Sequence, residues 1–537
     1  MRARASALRG RPLLVVLAIV VLAVWPARVR GGNVTEPRRG GTLRLSMPSD
    51  LRSLDPAISY DEDSTPLTKL LFRGLLDFGK RADLVLDQAS DWKISPDGKT
   101  YTFHLRPGVR FANGRPVAAQ DYVFSFERVL SPQISSPGRD FFLCIAGAPA
   151  FAAGKAAHVS GLTAPDARTF IIKLRTPVYT FRYVLALNFA DVVPRDVVRK
   201  YGVDFQYHLI GSGPYKLAQW RRGVRWRFVR NPCYTGSDGY VDAVDVMIGA
   251  DNTTATMMLE RGEIDRVLAS PAEAIRFERT PRLRSWLVRA NSANTDYIFM
   301  NTEMKPFDNV LVRRAVNYAI NKRRLLRLTG GFDTVADGIV PPIMGWTNSS
   351  LPRYRYDPEK ARALLREAGY PNGFNTELWY MVDLPILARL AEGAQQDLQQ
   401  VGIQAALRPV NGTTFNVKSG TRHQIPLGVY GWFEDYPDPG NFLDVLLNGE
   451  HITETDCNNV SFYNNPSVNH LLDTAVTCLD QEQRLRLFRQ AEDLIMTDAP
   501  WVPLVHEQVP ILYSPRLRGT APDPVWLWRW ERMWIDP

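Results

Sequence analysis

Apolar positions alternate with polar ones in some stretches of the chain and recur at helical spacing in others, in a mixed order and without an internal repeat. A period of two predicts strands, and a period near 3.6 predicts helices. The predicted strands are Gly41–Met47, Thr100–Leu105, Thr169–Leu174 and Val241–Ile248. The predicted helices are Thr65–Leu76, Ala118–Leu130, Asp308–Leu328, Leu384–Val401, Pro466–Cys478 and Gln481–Met496. This order indicates a mixed α/β protein.

One further helix has signals at both of its ends. Asp357 suits the N-cap and Pro358 the first helical position, while Gly369 suits the position after the last turn and Pro371 prevents continuation. Near the C-terminus, Trp526, Trp528 and Trp530 alternate as on one face of a strand, and this stripe predicts core packing.

Between Tyr430 and Leu447, the sequence YGWFEDYPDPGNFLDVLL combines aromatic and acidic residues. Alternation along Leu427–Asp435 predicts a strand on which Glu434 and Asp435 point to opposite faces. The two acids therefore cannot form the facing carboxylate pair of a glycosidase. We expect Glu434 to be solvated at a rim, and Asp438, before Pro439, to cap the next helix.

The net charge of +9 lies mostly at the N-terminus. Residues 1–39 contain eight arginines and one glutamate, hence +7, which leaves +2 for the rest. A nearly neutral body lacks the basic surface that nucleic-acid binding needs. Basic residues before the apolar run Leu13–Trp25 predict that residues 1–32 are a signal peptide or an uncleaved N-terminal anchor, and in either case that the body is exported.

The histidines and cysteines match no zinc motif, and no motif of a hydrolase is present. We therefore expect a protein that is not an enzyme and that needs neither cofactor nor metal. In an exported protein, a Cys457–Cys478 disulfide and free thiols are both open.

Several runs resemble, in family order, the family 5 extracytoplasmic solute-binding proteins, which are the oligopeptide- and dipeptide-binding proteins of ABC importers. The resemblance covers about residues 41–515. The runs are SLDPAIS…LTKLLFRGLL (53–76), DWKISPDGKTYTFHLRPGVRFANGRPVAAQDYVFSFERVLSP (91–132), GSGPYKL (211–217), RNPCY (230–234), GEID (262–265), MNTEMKPFDNVLVRRAVNYAINK (300–322), DPEKARALLREAGY (357–370) and GWFEDYPDPGNFL (431–443).

The resemblance implies a two-lobed α/β fold of the class II periplasmic-binding-protein type, with an inserted subdomain in lobe one and a hinged ligand cleft. Lobe I would be discontinuous, lobe II would be a separate unit, and the protein would be a monomer. The implied ranges are 36–84, 205–292 and 505–537 for lobe I, 85–204 for the inserted subdomain, and 293–504 for lobe II.

By the same resemblance, Asp435 lies where peptide-binding members hold the aspartate that receives the α-ammonium group of the ligand. Gly431 and Phe433 would belong to the strand that pairs with an extended peptide, and Trp432 would form the wall of a side-chain pocket. Tyr60 and Glu62 would face the ligand from the other lobe. For Asp435 the alternative is an ion pair with one of the many arginines, and for Trp432 it is plain core packing.

The resemblance fails at the positions for the carboxylate of the peptide. Val429 and Leu387 stand where family members carry an arginine and a histidine, with only Arg389 nearby, and Gly138 replaces a pocket tyrosine. The expected function is thus the extracytoplasmic capture of peptides or a related cationic solute for delivery to an ABC permease. A sensor or chaperone of the same fold, and a family member that binds an oligosaccharide, an opine or a metal complex, remain alternatives.

Overall fold

Strands and helices alternate along the chain in the mixed α/β order that the sequence predicts. The computed structural model describes residues 36–61, 63–525 and 528–536. Within these residues the strands, numbered in chain order, are β1 (Thr42–Met47), β2 (Leu76–Phe78), β3 (Leu84–Leu86), β4 (Ala89–Ile94), β5 (Thr100–Leu105), β6 (Leu162–Thr163), β7 (Thr169–Lys173), β8 (Tyr215–Arg221), β9 (Arg225–Arg230), β10 (Ala243–Ile248), β11 (Arg266–Leu268), β12 (Leu287–Asn291), β13 (Asn294–Met300), β14 (Thr334–Val335), β15 (Phe374–Met381), β16 (Ile403–Val410), β17 (Leu427–Phe433), β18 (Trp501–His506), β19 (Gln508–Tyr513), β20 (Leu517–Arg518) and β21 (Trp534–Ile535).

The α-helices are numbered in the same way. They are α1 (Ser64–Leu71), α2 (Ala119–Leu130), α3 (Arg139–Phe142), α4 (Ala148–Ala152), α5 (Phe181–Val184), α6 (Arg195–Tyr201), α7 (Asn252–Glu260), α8 (Pro271–Arg279), α9 (Val310–Ala319), α10 (Lys322–Leu328), α11 (Pro358–Glu367), α12 (Pro385–Gln399), α13 (Gly412–Ser419), α14 (Gly440–Leu447), α15 (Pro466–Thr477) and α16 (Gln481–Asp498).

The largest sheet has six strands in the order β14-β18-β13-β17-β15-β16. Strand β17 runs antiparallel to β13 over its whole length, from Leu427 to Phe433. Its pairing with β15 is parallel and is confined to Gly428, opposite Trp379. One edge of β17 therefore has no strand partner from Val429 to Phe433 among the described residues.

Two four-stranded sheets and one three-stranded sheet complete the main architecture. They have the orders β1-β10-β9-β8, β4-β5-β7-β6 and β11-β19-β12. The second of these contains the predicted strand Thr100–Leu105, which pairs antiparallel with β4 and β7.

The buried apolar side chains form separate clusters, three of which contact the site described below. Core A surrounds the six-stranded sheet and includes Tyr297 and Trp501. Core B is built mainly from residues 57–192 and includes Phe126. Core C joins β1 to the C-terminal segment and includes Trp226 and Trp530. Each cluster removes a continuous apolar surface from water, which is the main favourable term in folding.

Two predicted helices are shorter than their apolar patterns suggest. Helix α1 ends at Leu71 because Phe72 adopts extended dihedrals, and the chain then packs so tightly that a Cβ at Gly74 would lie 3.0 Å from Asp191 Oδ1. The predicted helix Asp308–Leu328 is two helices, α9 and α10. Ile320 is extended, and the Asn321 side chain accepts the Arg324 N–H at 3.1 Å to begin the second helix.

Helix α11 confirms the signals at both ends. Asp357 accepts the Lys360 N–H at 2.9 Å, Pro358 is the first helical residue, and Gly369 has a φ of +90° just after the C-cap. This left-handed conformation is one that glycine adopts without steric cost.

The C-terminal tryptophans are core residues, but the predicted strand is wrong. Trp528 and Trp530 are buried, whereas Trp530–Arg532 is a 3-10 turn. The turn is held by Arg529, whose guanidinium contacts Glu531 at 2.7 Å and Asp77 at 2.5 Å. Buried ion pairs thus replace strand pairing here, and Trp526 lies outside the described residues.

All four cysteines carry free thiols, so the structure lacks the Cys457–Cys478 disulfide that the sequence left open. Within the described residues, no helix combines the length and the apolarity needed to cross a membrane. The predicted signal peptide or anchor, residues 1–32, lies outside the described residues.

Candidate functional site

A cavity of about 510 Å³ lies where the end of β17 meets the loop before α1 and the C-terminal segment. Its walls are aromatic and its charged groups are acidic. The aromatic lining residues are Tyr60, Phe189, Trp432, Phe433 and Trp528, and the carboxylates are Asp61, Asp63, Glu434 and Asp435. No lysine or arginine is among the described residues that line it.

Asp435 is held by two side chains rather than by an arginine. Tyr60 donates its phenolic hydrogen to Asp435 Oδ1 at 2.5 Å, and Asn441 Nδ2 donates to Oδ2 at 2.8 Å. Asn441 also accepts the Asp435 backbone N–H at 2.9 Å. Burial raises the pKa of Asp435, while the bonds from Tyr60 and Asn441 lower it. The carboxylate is therefore fixed in orientation and has no cation beside it among the described residues.

Tyr60 belongs to the segment that precedes α1. Its ring packs against Phe189 with the centroids 5.5 Å apart. Burial and the neighbouring Asp435 carboxylate raise the pKa of the Tyr60 phenol, so it remains a donor at neutral pH. Glu62, the other residue predicted on this side, lies outside the described residues.

The three predicted strand residues differ in what they contact. Trp432 packs against core A and donates from Nε1 to Asn441 Oδ1 at 3.2 Å, and Phe433 packs against core C. Both line the cavity, on opposite faces of β17 as the alternation predicts. Gly431 is not among the lining residues. A Cβ there would lie 2.4 Å from Asp296 Oδ1, so a larger residue would force the Asp296 side chain on the neighbouring strand to move.

Glu434 is buried, and the expectation of a solvated rim position is wrong. Glu434 is only 4% exposed, and neither of its carboxylate oxygens has a hydrogen-bond partner in the described chain. Burial, with smaller contributions from Asp435 and Asp523, raises the pKa of Glu434 well above its ordinary value. The strand ends at Phe433, and the tertiary packing of the turn then buries the side chain, which alternation alone does not predict.

Asp438 does not occupy the predicted N-cap position, which Pro439 holds. Its carboxylate nevertheless accepts the N–H of Gly440, the first residue of α14, at 2.8 Å. The same oxygen makes a buried ion pair with Arg484 on α16. Asp438 is thus a structural residue that joins α14 to α16.

Phe189 is a cavity residue that sequence reasoning missed. A Cβ at Gly138 would lie 2.3 Å from Cγ of the Phe189 ring. The ring therefore fills the space beside the position where family members carry a pocket tyrosine. The glycine was the available signal, because a missing side chain in a packed wall has to be replaced from elsewhere.

The positions that would bind a peptide carboxylate in other members do not line the cavity. Val429 and Leu387 are buried in core A, and Arg389 is exposed on α12. The described residues also contain no cluster of three or more His, Cys, Asp or Glu side chains suited to a metal ion.

Comparisons with known proteins agree on one family. The model of the bacterial extracellular solute-binding proteins, family 5 Middle, matches residues 83–454. The glutathione-binding protein GsiB of Escherichia coli O1:K1 is 31% identical over 485 residues, which are 88% of this chain and 91% of that protein. Heme-binding protein A of Haemophilus influenzae is 31% identical over 475 residues, which are 84% and 85% of the two chains.

Among solved structures, the fold is similar to that of an ABC transporter-associated periplasmic binding protein, DppA from Helicobacter pylori, in complex with the peptide STSA. The TM-score is 0.79 at 27% sequence identity, and the match covers 93% of this chain and 99% of the other. The expected class, an α/β periplasmic-binding-protein fold, is thereby confirmed.

Proposed function

Because the chain belongs to the bacterial extracellular solute-binding proteins of family 5, we propose that it captures peptides or a related cationic solute in the cavity around Asp435. The cavity selects a protonated amine attached to an apolar body. The bound ligand is then delivered to the membrane permease of an ABC importer. Family membership makes the chain a solute-binding component of such an importer.

The observation that carries the proposal is the charge of the cavity. Asp61, Asp63 and Asp435 line it, and no basic side chain among the described lining residues neutralises them. Glu434 also lines it, but burial raises the pKa of Glu434 well above its ordinary value and so favours its neutral form. A carboxylate withdrawn from water is costly unless it is paired. A ligand cation that enters the cavity supplies the missing partner.

Asp435 is the carboxylate best prepared to receive an ammonium group. Tyr60 and Asn441 fix its orientation, so little conformational freedom is lost when a ligand binds. An ammonium about 4 Å away contributes roughly 4 kcal/mol at an effective dielectric constant near 20. Aromatic rings around it would accommodate the apolar part of the ligand.

The unpaired edge of β17 supports a peptide as the ligand. From Val429 to Phe433 this edge lacks a strand partner in the described chain, and the cavity begins at Trp432. An extended peptide adds to such an edge through its main chain, which gives affinity with little selection among side chains. Gly431 and Phe433 would take part in this pairing, with Trp432 and Tyr60 as walls and Glu62 on the side of Tyr60.

Closure of two lobes over the ligand is part of the proposal. Lobe I would comprise residues 36–84, 205–292 and 505–537, with 85–204 inserted, and lobe II would comprise 293–504. The separation of core A from cores B and C supports this division. Tyr60 and Asp435 would then close the cleft from opposite lobes by a hinge motion.

For the location, the family assignment supports an extracytoplasmic protein, and residues 1–32 are proposed to export it. Whether they are removed or remain as an anchor is decided by N-terminal sequencing of the protein from its native host. A cleaved form would begin near residue 32, and a tethered form would retain Leu13–Trp25.

The decisive experiment has two parts. Ligands extracted from the purified protein are identified by mass spectrometry, and we expect peptides of mixed sequence. Calorimetry then compares the peptide Ala-Phe-Ala with its N-acetylated form, for wild type and for Asp435→Asn. We expect acetylation or the substitution to weaken binding by about tenfold or more. A single sugar or haem in the extract, or equal binding of both peptides by wild type, would overturn the proposal.

A further inference from the structure

Arg266 is a buried cation that has no anionic partner among the residues that the structure describes. It begins β11 and is 7% exposed. Its Nε and Nη2 atoms are buried without a hydrogen-bond acceptor, and no ion pair to it is formed by any residue that the structure describes. A buried guanidinium is normally paired, because its desolvation is costly.

The aromatic neighbours of Arg266 contact its guanidinium without providing a hydrogen-bond acceptor. Its central carbon lies 3.9 Å from the Trp528 ring centroid and 5.3 Å from that of Trp530. Such stacking stabilises the charge. The two rings offer no hydrogen-bond acceptor, however, so Nε and Nη2 still require one.

Arg266 stays positively charged at neutral pH, and Tyr513, its neighbour on β19, does not ionise to neutralise it. Burial lowers the pKa of Arg266 to about 10, which leaves it protonated at neutral pH. Tyr513 lies opposite Arg266 in the sheet. Burial raises the pKa of Tyr513, so its phenol stays neutral, and its hydroxyl also lacks a partner.

Arg266 lines a cavity of about 190 Å³ that adjoins the one around Asp435. The two cavities share Asp63 and Trp528 as lining residues. Asp63 is the carboxylate that interacts with the charge of Arg266. The two side chains nevertheless form no ion pair, and Asp63 is exposed. Trp528 therefore lines both the acidic cavity and the cavity that contains Arg266.

We propose that Arg266 binds the carboxylate of a short zwitterionic ligand, such as a free tripeptide, whose ammonium group lies at Asp435. This inference rests on the proposed function above. It accounts for the apolar residues at Val429 and Leu387, because the carboxylate end of the ligand is bound by a different part of the molecule. A planar guanidinium suits a carboxylate, to which it donates two parallel hydrogen bonds.

The test is calorimetry with Ala-Phe-Ala and its C-terminal amide, in a buffer of low chloride content and after bound ligand has been removed by unfolding and refolding. We expect wild type to bind the acid about tenfold or more tightly than the amide. Arg266→Gln should lose this preference and keep the wild-type affinity for the amide. Asp435→Asn should weaken the binding of both peptides.

A matched control is Arg52→Gln. Arg52 also lines a cavity that adjoins the one around Asp435, through Tyr60 and Asp61. Unlike Arg266, Arg52 is exposed, so its loss should leave the preference for the acid intact. Equal binding of acid and amide by wild type overturns the inference while the proposed function stands. The inference is also overturned, and the proposed function still stands, if Arg52→Gln rather than Arg266→Gln abolishes the preference for the acid. If neither peptide binds to wild type, this inference fails, whereas the proposed function is judged by the ligands extracted from the purified protein.

Discussion

The phenol of Tyr60 donates to Asp435 Oδ1 at 2.5 Å, although 375 residues separate the two in sequence. This bond joins the segment before α1 to the end of β17 and orients the carboxylate toward the acidic cavity. It also lowers the pKa of Asp435, against the effect of burial. The readiness of Asp435 to bind a cation thus depends on a residue from the other end of the chain.

Tyr60→Phe is expected to shift the pH dependence of ligand binding. Loss of the donor raises the pKa of Asp435 further, so the carboxylate becomes protonated at a higher pH as the solution is acidified. Binding of a cationic ligand should therefore fall off at a higher pH in the variant than in wild type. Calorimetry with Ala-Phe-Ala between pH 4 and 8 measures the shift.

The control for this prediction is Tyr207→Phe, which removes an exposed phenol that contacts Arg222 at 2.7 Å, away from the cavity. Its pH profile should match that of wild type. Coincident profiles for Tyr60→Phe and wild type would show that the tyrosine does not control the ionisation of Asp435.

The sequence predicted the local parts of this site better than its assembly. The strand before Asp435 and the opposite orientation of Trp432 and Phe433 follow from side-chain alternation, which is a property of the backbone. The burial of Glu434 comes from the packing of a turn after the strand has ended, and no local pattern contains it. Likewise, Phe189 fills the space beside Gly138 from a segment about 50 residues away in the chain.

In the fold as well, features set by local sequence signals were predictable and features set by tertiary packing were not. Helix α11 was predictable at both ends because its capping signals are local. The end of helix α1 and the conformation of the C-terminal tryptophan segment were not, since close packing near Gly74 and the ion pairs of Arg529 override the periodic pattern. Among the described residues, the absence of a cation in the acidic cavity and the absence of an ion pair at Arg266 become visible only when distant segments are brought together.

Arg484→Met should be strongly destabilising because it leaves the Asp438 carboxylate buried without its ion-pair partner. Both side chains are almost fully buried, at 1% and 3% exposure. Removal of one partner of such a pair costs about 3–5 kcal/mol of the free energy of unfolding. Urea denaturation followed by fluorescence measures this loss.

Arg486→Met, on the same helix, is the matched control for Arg484→Met. Arg486 pairs with Glu482 at 3.7 Å, with both side chains largely exposed, so its loss should change the free energy by less than about 1 kcal/mol. Similar destabilisation by the two substitutions would contradict the structural role of the Arg484–Asp438 pair.

The four cysteines should all be titratable as thiols in the unfolded, unreduced protein. In the native protein at pH 8, Cys144 should react slowly with an alkylating reagent, because burial raises the pKa of its thiol to about 12 and only the thiolate is nucleophilic. Peptide mapping by mass spectrometry measures the modified fraction at each site. A linked peptide pair containing Cys457 and Cys478 would contradict the free-thiol state.

Glu434→Gln should stabilise the ligand-free protein at neutral pH but not at acidic pH. Burial raises the pKa of Glu434 in the folded state above the ordinary value of 4.5, so the folded state binds more protons than the unfolded state. Stability contributed by this group is then present below pH 4.5 and is lost as the pH rises toward the folded-state pKa. A neutral amide of similar shape avoids that loss.

Thermal unfolding should give a higher midpoint for the Glu434→Gln variant at pH 7.5 and a similar midpoint at pH 4. The exposed Glu450→Gln should show no such difference between the two pH values, and a pH-independent effect at Glu434 would contradict the raised pKa.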